Sequence, residues 1–177
     1  MNLPNKLTIA RVCAIPFFLA ALLISDAPVW RYIAIVIFIL ASLTDMLDGY
    51  IARSRNLITN FGKFMDPLAD KLLVAAALIA MVQLALIPAW VVVVIISREF
   101  LITGFRLIAV EKGNVIAADF WGKLKTVSQM VMVVVVLLPL DFAWLKVAGI
   151  VLIYIAAALT VISAVDYLAK NKGVLKD

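Results

Sequence analysis

The chain contains no histidine and only one cysteine, Cys13. Without histidine, the commonest metal ligand and the usual general base near neutral pH are both missing. Any metal or acid–base chemistry then falls to carboxylates. A lone cysteine excludes an internal disulfide and says nothing about redox compartment. Charge is also scarce: 15% of the 177 residues are Asp, Glu, Lys or Arg, 66% are hydrophobic, and the mean hydropathy is +1.14. A soluble domain is about 45–50% apolar, so the composition points to an integral membrane protein. The alternating strands of a transmembrane barrel are lacking as well. Val91–Ile96 and Val131–Leu138 are continuous apolar runs set within longer apolar segments, which favours helices.

At about 20 residues per span, six apolar segments emerge, near Thr8–Ser25, Arg31–Leu47, Met65–Leu86, Pro88–Val110, Phe120–Leu140 and Leu145–Lys170. The fold expected is all-α, a polytopic six-transmembrane-helix bundle forming a single domain over residues 1–177. There is no internal repeat and no low-complexity linker. Turn signals are short, at Ser25–Pro28, Asn56–Gly62, Lys112–Asn114 and Pro139–Asp141, and short connections imply antiparallel neighbours. Met1–Leu7 is polar enough to lie along the membrane surface. The apolar run from Ile9 to Ile24 has no outstanding cleavage site and reads as a retained first helix.

The formal net charge is +5. In a six-span arrangement Lys6, Arg11, Arg53, Arg55, Lys63, Arg106, Lys112, Lys123, Lys125, Lys170, Lys172 and Lys176 fall on one side. Only Arg31 and Lys146 fall on the other. The positive-inside rule places both termini and that side in the cytoplasm. Many of these bases serve topology and attraction to anionic lipid headgroups; membrane lipid is the expected partner surface, and no nucleic acid is expected. Trp30, Trp90 and Trp144 lie near the outer ends of spans and Trp121 near the inner side, as interfacial anchors do.

Against this background, four aspartates stand out: Asp45, Asp48, Asp66 and Asp70. Ionised carboxylates near a bilayer are expensive and are kept where something compensates them. Asp45 and Asp48 are three residues apart and Asp66 and Asp70 four apart, so each pair shares a helix face. Asn56, Asn60 and Gly62 allow the chain to turn back between the pairs. Two antiparallel helices would then bring four carboxylates together, a donor set suited to Mg²⁺ or Mn²⁺. Such a set can hold two ions, as in sites that clamp phosphoryl groups for in-line displacement. Gly49, Ala52 and Gly62 beside the acids allow close helix packing or close approach of a ligand. Arg53 either anchors the helix end or binds a phosphate. Pro67 marks the start of the third helix or a kink beneath Asp66. The bland alternative is an ion-pair network of the acids with Arg53, Lys63 and Lys71.

Residues 45–70 fit the string D-x2-D-G-x2-A-R-x8-G-x3-D-x3-D at every fixed position. That string resembles the signature of the CDP-alcohol phosphotransferases, for which a six-helix membrane protein is the expected setting. The resemblance implies transfer of a phosphatidyl or similar group from a CDP-linked donor to an alcohol, with release of CMP. It implies that Asp45, Asp48 and Asp66 are metal ligands and that Asp70 is a ligand or its neighbour and also the catalytic general base. Gly49, Ala52, Arg53 and Gly62 would form the CDP-binding wall. An inner-membrane location with the site facing the cytoplasm follows from the same likeness, as does a possible homodimer.

Outside the motif, Asn2–Arg11, Ser97–Phe100, Thr103–Arg106 and Gly122–Thr126 resemble the branch of the family that uses CDP-diacylglycerol as donor and sn-glycerol 3-phosphate as acceptor. Arg11, Arg98, Arg106, Lys123 and Lys125 are then candidates for the acceptor phosphate. Arg98 and Arg106 are eight apart, on roughly one helix face. Arg98 sits deep in an apolar run, where an ion pair with a neighbouring helix is the alternative. Glu99 is adjacent in sequence and faces elsewhere on an ideal helix. Asn5 and Thr8 either touch the donor or cap the first helix. Other readings stay open: the same chemistry with inositol phosphate, serine or a second lipid as acceptor, a cation transporter, or an inactive homologue.

Overall fold

The computed structural model describes residues 3–54, 60–111 and 120–172, with side chains throughout except at residues 3, 4, 45–54, 60–64, 66, 67, 110 and 111. The described residues form six α-helices and no strand: α1 (Leu3–Leu23), α2 (Pro28–Ser54), α3 (Asn60–Gln83), α4 (Ala89–Glu111), α5 (Phe120–Leu137) and α6 (Ala143–Lys170). The all-α expectation holds, and the six helices fall where the apolar segments do. Three are long and apolar enough to cross a membrane: Asn5–Leu23, Phe120–Leu137 and Ala143–Lys170. Pro28–Thr44 is a shorter apolar stretch. Helix α4 carries Arg98, Glu99 and Arg106 within its length, which sets it apart from those three. Large apolar side chains such as Val36, Phe100, Ile150 and Val165 point outward. An exterior of this kind suits hydrocarbon and would drive aggregation in water.

Helix ends differ from the sequence reading in physically simple ways. Helix α1 begins at Leu3, so Met1–Leu7 is not a separate surface segment over its described part. Pro4 lies in the first turn, where a missing N–H costs nothing. Asn5 and Thr8 therefore lie inside the helix, and the capping alternative is excluded for both. Helix α2 continues past Leu47 to Ser54. Helix α3 starts at Asn60, which leaves Pro67 inside the helix and not in its first turn. Helix α5 stops at Leu137, two residues before Pro139. The turn signals at Asn56–Gly62 and Lys112–Asn114 fall largely outside the described residues.

The chain divides into two compact units, Met1–Leu84 with Leu137–Leu140, and Ala85–Val136 with Asp141–Asp177. In the first, α1 packs on α2 and α3, and α2 also touches α3. Its core pairs Phe18 with Phe38, ring centroids 5.9 Å apart, among small residues such as Ala21, Ala34, Ala41, Ala69 and Ala77. Small side chains let helix backbones approach closely, the main source of packing energy where lipid competes with apolar contacts.

In the second unit α4 packs on α6, and α5 is tied to α6 by a buried polar bridge. Gln129 Nε2 donates to Thr160 Oγ1 at 3.1 Å, and that hydroxyl donates to the Ala156 carbonyl at 2.6 Å. Gly149 lets α6 come close to α5, since a Cβ there would sit 3.3 Å from Val136 Cγ2. Thr160→Val leaves a buried Gln129 amide without its acceptor. It should lower the stability of the detergent-solubilised protein by about 1 kcal/mol, read as a reduced melting temperature.

Candidate functional site

The aspartate motif is carried by two helices of the first unit. Asp45, Asp48, Gly49, Ala52 and Arg53 lie on α2, and Gly62, Asp66 and Asp70 lie on α3. Both helices run unbroken through their aspartates, so each pair keeps the helical spacing read from the sequence. The side chains of Asp45, Asp48, Gly49, Ala52, Arg53, Gly62 and Asp66 lie outside the described residues. Asp70 is half-buried, beside the fully buried Ala69 and one turn before buried Leu73. Among the described residues no group of three or more His, Cys, Asp or Glu comes together; three of the four motif aspartates are not among them.

Helix α1 supports this motif from the side. Asn5, Thr8 and Arg11 recur every three residues and are all buried, so they line one face of α1. Arg11 is only 2% exposed, and its Nε donates to the Ala41 carbonyl of α2 at 3.2 Å. Thr44 Oγ1 donates to the same carbonyl at 2.6 Å. Ala41 is one helical turn before Asp45, so Arg11 fixes the turn of α2 that leads into the acids. Arg11 thus holds α2 in place, a position the sequence alone did not separate from that of an acceptor base.

The second unit gathers two of the candidate bases, Arg98 and Lys125, around Glu99. The Glu99 Oε1 atom accepts from Arg98 Nη1 at 3.4 Å and from Lys125 Nζ of α5. The Arg98 and Lys125 side chains are 12% and 4% exposed. Arg98 Nε is buried with no hydrogen-bond partner among the described residues. A Cβ at Gly122 would sit 3.9 Å from Arg98 Nη2, so the glycine leaves room beside the guanidinium. Adjacent residues point about 100° apart on a helix, which is why Glu99 was expected to face away. The length of the two side chains closes that angle. Thr103 and Thr126 return their hydroxyls to carbonyls of their own helices and do not compete for these charges.

Arg106 lies two turns beyond Arg98, and its Nε donates to the Tyr167 hydroxyl of α6 at 3.2 Å. Lys123 is exposed while Lys125 is buried; residues two apart on a helix face opposite ways. The structure therefore joins Arg98 and Lys125 through Glu99, places Arg106 against α6, and leaves Lys123 on the surface. Sequence reading missed Glu99 as the link and Tyr167 altogether. An acidic residue next to an arginine set in an apolar run was the available signal for the first, and nothing near Tyr167 marked it out.

The family model described as CDP-alcohol phosphatidyltransferase matches residues 1–162. A Bacillus subtilis protein named CDP-diacylglycerol–glycerol-3-phosphate 3-phosphatidyltransferase is 47% identical over 99% of this chain and 97% of its own length. A Haemophilus influenzae protein of the same name is 42% identical over 99% of this chain and 96% of its own length. A Mycobacterium tuberculosis protein named probable phosphatidylglycerophosphate synthase is 43% identical over 96% of this chain and 81% of its own length.

Removing the charge of Glu99 leaves the half-buried Arg98 and the buried Lys125 without their shared counter-ion, and breaking such a pair is costly. Glu99→Gln keeps the shape and one acceptor oxygen. It should destabilise the protein by about 2 kcal/mol, measured by thermal unfolding in detergent.

Proposed function

Because this chain belongs to the CDP-alcohol phosphatidyltransferase family, we propose that it transfers the phosphatidyl group of CDP-diacylglycerol to sn-glycerol 3-phosphate, forming phosphatidylglycerophosphate and CMP. The observation that carries this reading is the complete aspartate signature, set on two adjoining helices of a chain that aligns with such transferases from end to end. The enzyme is read as a six-span protein of the bacterial inner membrane with the motif and both termini in the cytoplasm. The apolar helices and the one-sided distribution of Lys and Arg support that topology.

Asp45, Asp48, Asp66 and Asp70 are hard oxygen donors with no histidine to compete, a set that fits Mg²⁺ or Mn²⁺. When bound there, one or two such ions supply charge neutralisation at the donor pyrophosphate. Gly49, Ala52 and Gly62, small residues of the signature, are assigned to the wall for the cytidine diphosphate, with Arg53, Asn5 and Thr8 as its polar residues. Asp70 accepts the proton of the acceptor 1-hydroxyl as its oxygen bonds to the β-phosphorus of the donor. The bond from that phosphorus to the bridging oxygen breaks, and the oxygen leaves with CMP. The product stays in the bilayer through its acyl chains.

The acceptor is a dianion and needs bases. Arg106 and Arg98 offer guanidinium donors to its phosphate. Lys123 is a third contact from the surface of α5, and Lys125 is held by Glu99 beside Arg98. Glu99 limits the net positive charge of the group and keeps Arg98 extended toward Gly122.

A panel of acceptors tests the assignment. Glycerol 3-phosphate should support CMP release, and serine and inositol phosphate should not; release with only one of those two would keep the chemistry and change the acceptor. Asp70→Asn should retain CDP-diacylglycerol binding and lose turnover by at least about a hundredfold. Arg106→Ala should raise the KM for glycerol 3-phosphate about tenfold or more while the donor KM stays put; an unchanged acceptor KM would remove Arg106 from the site.

A further inference from the structure

Tyr167 is buried at 3% exposure on the last turns of α6, beyond the residues that the family model matches. Its ring packs edge-on against Phe105, centroids 5.8 Å apart and planes at 79°. Ile102, Phe105 and Ala109 of α4 form a closed apolar cluster with it. The helix end that carries it is itself fixed. The backbone N–H and the side-chain Nδ2 of Asn171 both donate to the Tyr167 carbonyl, at 3.2 and 2.7 Å. Lys170 pairs with Asp166 at 2.7 Å on the same turn. A ring held on all these sides presents its hydroxyl at one place.

That hydroxyl accepts from Arg106 Nε, and the Arg106 guanidinium carbon lies 5.3 Å from the Tyr167 ring centroid. A guanidinium is a planar fork of five donors. With Nε taken, the plane is fixed, and among the described residues the two terminal nitrogens remain for a bidentate anion. A buried tyrosine hydroxyl is also worth keeping only if it finds a partner, and among the described residues Arg106 is that partner.

We propose that Tyr167 is a positioning residue that orients the Arg106 guanidinium for the phosphate of the acceptor. The proposal rests on the acceptor-binding reading of Arg106 given above. Tyr167 touches no reacting atom; it sets the angle of the fork that meets the phosphate. It is therefore a determinant of acceptor affinity, with no part in donor binding or proton transfer.

Tyr167→Phe removes the acceptor oxygen and keeps the ring against Phe105. The full-length purified protein should show a KM for glycerol 3-phosphate raised about tenfold, the loss of one charge-assisted hydrogen bond. Its kcat and its KM for CDP-diacylglycerol should stay within about twofold, and its melting temperature within about 2 °C. In an Arg106→Ala background the same change should add no further effect on the acceptor KM, as expected for two residues acting through one contact. An acceptor KM unmoved by Tyr167→Phe in an active wild-type background would overturn the proposal. So would an equal loss in kcat with an early melt, or a full additional effect in the Arg106→Ala background. Wild-type protein that releases no CMP with glycerol 3-phosphate would instead overturn the acceptor reading itself, and the proposal with it.

Discussion

An ionised side chain set in an apolar helix must be met by a partner within its own reach, and this requirement shapes both compact units. Water does the compensating for surface charges at little cost; inside a hydrocarbon-facing helix the protein has to do it. Arg11 is met by a backbone carbonyl of α2, Arg98 and Lys125 by one carboxylate between them, and Arg106 by a tyrosine hydroxyl. Each partnership also ties one helix to another or fixes a side chain's direction. Charge compensation and construction are the same act in this protein.

The first unit carries the motif aspartates, on α2 and α3. The second carries Arg98, Arg106 and Lys125, on α4 and α5, with Glu99 between Arg98 and Lys125. In the proposed reaction the aspartates hold cations and take up a proton, and the bases meet the phosphate of the acceptor. An apolar exterior explains why such polar chemistry is housed here at all, since the donor's acyl chains never leave the hydrocarbon.

Much of this was legible in the sequence because helices and fixed spacings write themselves locally. The six apolar segments gave the helix count, although the fifth was read to Leu140 and α5 stops at Leu137, ahead of Pro139. The aspartate signature needed no tertiary information, since spacings of three and four on a helix already place the acids. What the sequence did not disclose depends on contacts between helices. The contact of Arg11 with Ala41 was not legible because it is created by the packing of α1 on α2. Glu99 read as facing away because ideal helix angles ignore the reach of long side chains. Tyr167, sixty-one residues from Arg106, had no local pattern to announce it. The start of α1 at Leu3 was missed because polar Asn5 and Lys6 look like surface sequence, whereas Asn5 is buried in the helix.

The central claim is a metal-dependent transfer of a phosphatidyl group to glycerol 3-phosphate. It is tested most directly by supplying the purified protein in detergent with CDP-diacylglycerol and radiolabelled glycerol 3-phosphate, with Mg²⁺ or Mn²⁺ and with EDTA, and counting CMP against labelled lipid. The account predicts equimolar CMP and labelled phospholipid with either metal and neither product with EDTA. Folded protein that yields neither product with metal, or yields both in EDTA, would contradict it.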